Sequence, residues 1–213
     1  MKYRAAVFDL DGTLVDSLDD IVTHLLAALA DHALPLPART EVRDWVGHGA
    51  DYLVSRAVTR PELVAPVLET FRSHYHARPV VTACVFPGLA AVLDAVAPGS
   101  ALAVLSNKPH ALTVAIADQL LARWKFHPVC GQDASRPKKP DPAGLLAIVD
   151  ALGCAPADAV MIGDSEVDVA TAHAAGMRSI GVSWGMRPVE ALAGADHIAH
   201  TPEELATLLT CTN

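Results

Sequence analysis

Two carboxylates, Asp9 and Asp11, directly follow a short apolar segment at residues 5–8. In an extended strand, residues i and i+2 point to the same side, and Gly12 allows the backbone to turn just beyond them. Two acids would then crowd one spot, which is costly unless a cation neutralises them or one holds a proton. The pair indicates a divalent metal, an acid/base role or both, with a solvated turn as the alternative. Chance produces Asp-x-Asp-Gly-Thr at roughly one position in 100,000, which favours a function.

Further polar side chains follow later apolar segments of the chain. Ser106 comes after residues 101–105, Lys139 lies in a Lys-Lys-Pro-Asp-Pro segment, and Asp164 follows residues 159–163. In an open α/β sheet, ligands bind beyond the carboxyl ends of the strands, so these side chains could meet. Each also has an ordinary explanation, such as a helix start for Ser106 or a surface position for Lys139.

Asp164 and Asp168 are four residues apart, a spacing that puts them on one face if both lie on a helix. Like charges in that arrangement destabilise a helix by a few tenths of a kcal/mol. The pair therefore suggests a cation nearby.

The apolar pattern predicts an α/β fold. Five runs are typical of strands, at residues 5–9, 101–106, 126–131, 159–163 and 179–183. Helical patterns separate most of them, which is the alternation expected of a parallel sheet. Near the C-terminus, Thr201 as N-cap and Pro202 at the first helical position predict a last helix to about Leu209.

The alternation stops for about seventy residues after the first strand. Apolar residues repeat with helical spacing from Leu18, and Ser17 with Asp20 resembles a capping pair. Further helical stretches follow at residues 40–45, 50–58 and 61–75, with no convincing strand between them. The pattern predicts a small helical insertion.

Bulk properties exclude several classes of protein. The 213 residues suit one domain, or a core domain with a smaller insert. No apolar run approaches the roughly 20 residues of a membrane span or forms a secretory leader, so we expect a cytoplasmic protein without membrane contact. The net charge of -8 and the lack of any Lys/Arg-rich run argue against nucleic acid. Four scattered cysteines give no zinc or dithiol motif.

Taken in order, these segments resemble the four motifs of the haloacid dehalogenase superfamily of phosphohydrolases, over nearly the whole chain. The matching residues are Asp9 and Asp11 in the first motif, Ser106 in the second, Lys139 in the third, and Asp164 with Asp168 in the fourth. The resemblance implies a Rossmann-like parallel-sheet core of residues 1–15 and 85–213. It also implies an inserted α-helical cap of the family's first type (C1) at residues 16–84.

The resemblance implies roles for the two N-terminal acids. Asp9 would attack phosphorus and form an aspartyl-phosphate intermediate. Asp11 would protonate the leaving alkoxide and then activate the hydrolytic water. Dehalogenase members lack the second acid, so Asp11 favours phosphoryl transfer over carbon-halogen cleavage.

The resemblance also implies a metal site and a phosphoryl site. Three groups would bind Mg²⁺: Asp9, the backbone carbonyl of Asp11, and Asp164. Ser106 and Lys139 would hold the phosphoryl oxygens. Asp168 would orient Lys139 or a metal-bound water.

Several stretches resemble bacterial phosphoglycolate phosphatases in particular, namely residues 46–49, 106–109, 138–142 and 181–185. This similarity implies hydrolysis of a small phosphorylated metabolite, 2-phosphoglycolate, to glycolate and phosphate by a monomer or homodimer. The implied substrate-binding residues are Thr13, Gly47, His48, Gly49, Asn107 and Lys108. Lys108 could pair with a substrate carboxylate or lie on the surface of the next helix. The alternatives are a phosphatase of other sugar or nucleotide phosphates, a pyrophosphatase, a phosphomutase and a non-catalytic phosphate-binding protein.

Overall fold

The structure, a computed structural model, describes residues 2–211. Within that range it contains eight strands: β1 Ala5–Phe8, β2 Val15–Asp16, β3 Cys84–Val85, β4 Ala101–Pro109, β5 Phe126–Gln132, β6 Ala159–Gly163, β7 Arg178–Val182 and β8 His197–Ala199. The α-helices of the same residues are α1 Leu18–Asp31, α2 Arg39–Trp45, α3 Ala50–Ala57, α4 Val64–Ala77, α5 Leu89–Val96, α6 His110–Leu120, α7 Ala143–Ala151, α8 Glu166–Ala174 and α9 Pro202–Thr210.

Six strands form one parallel sheet in the order β5-β4-β1-β6-β7-β8. The central strand β1 is fully buried, as expected of a strand covered by helices on both faces. The predicted α/β class is confirmed. β1 ends at Phe8, one residue earlier than predicted, and β4 continues to Pro109, so Ser106, Asn107 and Lys108 lie in the last part of a strand.

The last helix agrees with its prediction. Thr201 accepts a hydrogen bond from the Glu204 backbone N–H at 3.2 Å, and Pro202 opens the helix. This cap fixes where α9 begins and leaves its apolar residues free to pack on α5.

The chain leaves and rejoins the core through a two-stranded antiparallel ribbon. Val15 pairs with Val85, and Asp16 with Cys84. The helices α1 to α4 lie between these strands, with a short 3₁₀ turn at Pro61–Leu63 ahead of α4. Residues 16 and 84, the predicted ends of the cap, are thus partners. The assignment of residues 16–84 as a cap domain stays a prediction.

The predicted capping pair at the start of α1 is wrong. Ser17 makes no side-chain cap and instead donates its hydroxyl to Asp11 Oδ1 at 2.6 Å. Asp20 accepts hydrogen bonds from the backbone N–H groups of Val81, Thr82 and Ala83 at 2.8, 2.8 and 3.1 Å. Ser17 therefore binds back to Asp11 instead of capping the helix, and Asp20 ties the returning chain to α1.

Apolar side chains pack on both faces of the sheet. The larger cluster joins β1 and β4 to α5, α6 and α9 and extends into the helical segment formed by α1 to α4, while the smaller one lies under α7 and α8. Among residues 2–211, no helix is long and apolar enough to span a membrane. The two apolar clusters fix the central strands between the helices, and the carboxyl ends of these strands face α1 to α4.

Candidate active site

The carboxyl ends of β1, β4 and β6 meet at one edge of the sheet. Asp9 follows β1, and its backbone N–H donates to the Ile162 carbonyl of β6 at 2.9 Å. Lys139, which is 130 residues away in sequence, places its Nζ 2.8 Å from Asp9 Oδ1. The sheet thus brings together acids and a lysine that the sequence keeps far apart.

Lys139 bridges two buried carboxylates. Its Nζ also donates to Asp168 Oδ1 at 2.6 Å, and all three side chains are buried. Burial raises the pKa of Asp9 to about 7, with the Lys139 charge opposing that shift. Burial disfavours the charge on Lys139, but Asp168 and Asp9 outweigh it and raise the Lys139 pKa. Lys139 therefore remains a cation beside Asp9.

Asp164 and Asp168 do not share a helix face, which corrects the prediction. Asp164 lies between β6 and α8, ahead of the N-cap residue Ser165. Asp168 is in the first turn of α8 and accepts from the Ser165 hydroxyl at 2.6 Å and its backbone N–H at 3.2 Å. The spacing rule failed because it requires both residues to be helical. The two carboxylates still approach each other at this strand end.

Asp164 is held by close backbone packing. A Cβ at Gly12, whose φ is +85°, would lie 2.4 Å from Asp164 Oδ2, so this turn requires glycine. The backbone N–H of Met186 donates to the same oxygen at 2.7 Å. Burial, followed by the charges of Asp168 and Asp9, raises the pKa of Asp164 to about 8.

These carboxylates suit a hard divalent cation. One oxygen from each of Asp9, Asp164 and Asp168 lies within 4.8 Å of the others. Both Asp168 oxygens already accept hydrogen bonds from Lys139 and Ser165, whereas Asp9 and Asp164 have oxygens to spare. Their raised pKa values indicate a shortage of positive charge. An all-oxygen set with this shortage fits Mg²⁺.

Lys108 is buried and pairs with Asp11. Its Nζ lies 3.0 Å from Asp11 Oδ2 and 3.2 Å from Oδ1, and it also donates to the Tyr75 hydroxyl at 3.0 Å. Burial disfavours its charge, but Asp11 and Tyr75 raise the Lys108 pKa. The alternative prediction, that Lys108 lies on the surface of the next helix, is therefore wrong, because Lys108 is a buried residue of β4. Its position leaves the substrate-binding prediction open.

A cavity of about 50 Å³ lies between the sheet edge and α1 to α4. Seven of the predicted residues line it: Asp9, Asp11, Gly47, Gly49, Ser106, Asn107 and Lys108. A space of about 10 Å³ is lined by Asp9, Asp11, Gly47, Lys139 and Asp164. Thr13, His48 and Asp168 line neither space. The predicted core residues therefore converge, while two of the predicted substrate ligands lie outside the lining.

Thr13 and His48 have other surroundings. Thr13 Oγ1 is buried without a hydrogen-bond partner among the residues that the structure describes, and its carbonyl accepts from the Trp184 indole at 3.2 Å. The His48 ring packs against Tyr52 with centroids 4.7 Å apart. Burial, followed by the Arg187 charge, lowers the His48 pKa. His48 is thus a neutral ring on the helical segment near neutral pH.

Three side chains of the core hold residues 44–51, where α2 ends and α3 begins. Asn107 Nδ2 donates to the Gly47 carbonyl at 3.0 Å, and Lys138 Nζ lies 2.8 Å from Asp51 Oδ2. Arg187 donates to the carbonyls of Asp44 and Val46 at 2.8 and 2.5 Å.

The sequence predictions did not include Tyr75 and Arg187, and they named Lys138 only as part of the stretch at residues 138–142, without a role. Arg187 follows the predicted strand at residues 179–183, which is the available signal for it. Tyr75 is one apolar position of a helix and carries no signal of its own.

Comparisons with known proteins agree with one another. A family model described as haloacid dehalogenase-like hydrolase matches residues 3–176. The phosphoglycolate phosphatase of Rhodospirillum rubrum is 38% identical over 193 residues, covering 85% of this chain and 80% of its own. That of Yersinia pseudotuberculosis is 35% identical over 198 residues, covering 89% and 85%. A crystal structure of a predicted phosphoglycolate phosphatase from Haemophilus somnus matches with a TM-score of 0.89 at 27% identity, covering 98% of each chain.

Proposed function

This chain belongs to the haloacid dehalogenase-like hydrolases and is a phosphoric monoester hydrolase, and on that premise we propose that it hydrolyses 2-phosphoglycolate to glycolate and phosphate. One observation carries the proposal: the buried Asp9 carboxylate, 2.8 Å from Lys139, lines the same small cavity as Asp11 and Lys108. A nucleophile, a proton carrier and a cation for an anionic substrate are thereby within reach of one ligand.

Asp9 is the proposed nucleophile. Its oxygen attacks phosphorus, the new O–P bond forms an aspartyl phosphate, and the bond from phosphorus to the alkoxide breaks. Lys139 supports this step because its ammonium group, 2.8 Å from Asp9, counters charge on the phosphoryl oxygens. Ser106 lines the cavity and accepts a bond from the Lys108 backbone N–H at 3.2 Å, which leaves its own proton available for a phosphoryl oxygen.

Asp11 is the proposed proton carrier. In its protonated form it gives a proton to the departing alkoxide, and as the carboxylate so formed it later takes one from the water that attacks the aspartyl phosphate. The water's oxygen then bonds to phosphorus as the P–O bond to Asp9 breaks. Hydrogen bonds from Ser17 and Lys108 hold the Asp11 carboxylate in position, 2.6 and 3.0 Å from their donor atoms.

Asp9, Asp164 and the backbone carbonyl of Asp11 are the proposed Mg²⁺ ligands. When bound, Mg²⁺ supplies positive charge against the phosphoryl group and the buried carboxylates. Asp168 keeps Lys139 oriented through its 2.6 Å contact, and Ser165 in turn fixes Asp168.

The size of the cavity supports a small substrate. A cavity of about 50 Å³ leaves less room for a nucleoside than for an ester of a two-carbon acid. We assign residues 16–84 as the cap that encloses it, with Gly47 and Gly49 approaching the ester closely. Both glycines have positive φ, +100° and +92°, as such a tight loop requires.

A kinetic panel with Mg²⁺ tests this assignment. The panel compares kcat/KM for 2-phosphoglycolate, sugar phosphates, nucleotides and pyrophosphate. We expect 2-phosphoglycolate to give a value at least about tenfold above the others. Equal values across the panel would remove the substrate assignment and leave the phosphatase assignment intact.

A further inference from the structure

Tyr75 reaches from α4 of the helical segment to the core. Its ring is almost completely buried, stacks on His24 with centroids 4.6 Å apart, and meets Phe71 edge-on at 5.7 Å. His24 is itself fixed by a 3.0 Å hydrogen bond between its Nε2 and the Arg78 carbonyl. The Tyr75 side chain, which lines the cavity, is therefore held in one place.

The Tyr75 hydroxyl has a proton to offer. The Lys108 ammonium group can only donate hydrogen bonds, so the Tyr75 oxygen is the acceptor of the 3.0 Å hydrogen bond between them. Within residues 2–211, the hydroxyl makes no other hydrogen bond, so its own proton has no protein acceptor there. Burial raises the Tyr75 pKa to about 12, and the proton stays on the oxygen at neutral pH.

The surrounding wall is mostly apolar. Ile21, Leu53 and Leu112 line the cavity together with Phe71 and Tyr75. In such a lining, an anionic group gains most where a free O–H and a buried ammonium lie side by side, because both are shielded from water. Lys108 and Tyr75 form such a pair, and Asp11, the proposed proton carrier, is adjacent.

We propose that Tyr75 is a specificity-determining residue that donates its hydroxyl proton to the carboxylate of the leaving group, beside the Lys108 ammonium. The inference rests on the proposed function and extends it to a residue of the helical segment. Tyr75 would select esters whose alcohol carries an anion and leave the reacting phosphoryl group untouched. The subsite would exist only while α4 is closed against the core, since its two donors come from different parts of the chain.

The test compares Tyr75→Phe with wild type on two esters, 2-phosphoglycolate and 2-hydroxyethyl phosphate, which lacks the carboxylate. Removing one hydrogen bond to a charged group predicts a loss of about tenfold or more in kcat/KM for 2-phosphoglycolate, mainly through KM. The value for 2-hydroxyethyl phosphate should change by less than about threefold. Tyr3→Phe is the matched control because Tyr3 lies ahead of β1, at the end of that strand away from Asp9, and should change neither substrate.

Product inhibition gives a second readout. In Tyr75→Phe, the inhibition constant of glycolate should rise about tenfold while that of inorganic phosphate stays constant. A wild-type preference for 2-phosphoglycolate that persists in Tyr75→Phe would overturn the role of Tyr75 alone. Equal loss on both esters, with unchanged glycolate inhibition, would do the same. A wild-type enzyme that does not prefer the carboxylate ester would overturn this inference together with the assigned substrate.

Discussion

Asp9 and Asp11 are two residues apart, yet they have separate cations. Asp9 contacts Lys139, whereas Asp11 contacts Lys108 and the Ser17 hydroxyl. Asp11 therefore has a nearby countercharge in Lys108, whereas Asp9 shares Lys139 with Asp168. Separate partners allow the two acids to take separate roles in one reaction.

Asp9→Asn should abolish turnover. An amide is too weak a nucleophile to form the acyl phosphate, and loss of a nucleophile typically costs activity on the order of 10,000-fold or more. Phosphate release from 2-phosphoglycolate or a chromogenic ester measures the loss, and far-UV circular dichroism checks the fold. Asp118→Asn, an exposed aspartate on α6, is the control and should keep wild-type activity. Wild-type turnover in Asp9→Asn would eliminate the proposed mechanism.

The sequence predicted which residues lie at the candidate site better than it predicted the contacts of their side chains. Asp9, Asp11 and Asp164 could be found because they closely follow recognisable strands. Ser106 lies near the end of such a strand, and Lys139 lies in the Lys-Lys-Pro-Asp-Pro segment. The environment of Lys108 could not be predicted, because its partners lie 97 and 33 residues away in sequence. The contact with Tyr75 depends on how α4 packs against the core, and the local sequence pattern carries no information on that packing.

Among the elements, the long strands were predictable and the shortest were not. The five predicted strands are all present, whereas β2 and β3 have two residues each and β8 has three. Two residues show no alternation, so β2 and β3 exist only through pairing with each other. The start of α1 shows the same limit, since the capping pattern at Ser17 was overridden by tertiary partners.

Asp20→Asn should destabilise the junction of α1 with residues 81–83. Burial opposes ionisation of Asp20, but hydrogen bonds from Thr82, Val81 and Ala83 outweigh it and lower its pKa. An amide has one acceptor oxygen and no charge, so we expect the free energy of unfolding to fall by about 1–3 kcal/mol in urea titrations.

Asp19→Asn is the matched control for that substitution. Asp19 is exposed on the same helical turn and pairs with the exposed Arg39, so its loss should cost at most about 1 kcal/mol. Equal stability of Asp20→Asn and Asp19→Asn would show that the contacts to residues 81–83 contribute nothing.

For the whole molecule, the core and the helical segment meet through polar contacts around the cavity. Asn107 near the end of β4, and Lys138 and Arg187 in two loops at the carboxyl edge of the sheet, all contact residues 44–51. The same edge therefore carries the proposed catalytic residues and holds residues 44–51. Asn107 links the two, since its Nδ2 donates to the Gly47 carbonyl and its Oδ1 accepts from the Lys139 backbone N–H at 2.8 Å.

Arg187→Gln should weaken closure without unfolding the protein. The shorter glutamine side chain would lose the hydrogen bonds that Arg187 donates to the Asp44 and Val46 carbonyls. The fraction of molecules in the closed form would then fall, and the apparent affinity for substrate would fall in proportion. We expect KM for 2-phosphoglycolate to rise about tenfold, with faster hydrogen exchange in residues 44–50. Arg56→Gln, on an exposed position of α3, should change neither quantity. An unchanged KM in Arg187→Gln would exclude this residue from closure.

The buried carboxylates make stability depend on pH and metal together. The pKa values of Asp9 and Asp164 rise from 3.8 to about 7 and about 8, so folding favours their protonated forms. Their contribution to the stability of the metal-free protein is fully present below about pH 4 and is lost as the pH rises through 7 to 8. The slope is roughly 1.4 kcal/mol per pH unit for each titrating carboxyl.

Mg²⁺ should remove most of this slope, because it supplies the charge that the ionised carboxylates lack. Urea midpoints at pH 5.5 and 8, measured with EDTA and with Mg²⁺, test this: Mg²⁺ should stabilise the protein far more at pH 8. Asp164→Asn isolates the effect from the other titrating groups, since it removes one carboxyl and should flatten the pH dependence in EDTA while weakening the response to Mg²⁺. If wild type and Asp164→Asn lose stability equally between the two pH values in EDTA, Asp164 is ionised in the folded protein without a metal, and the charge shortage that supports the metal site does not exist.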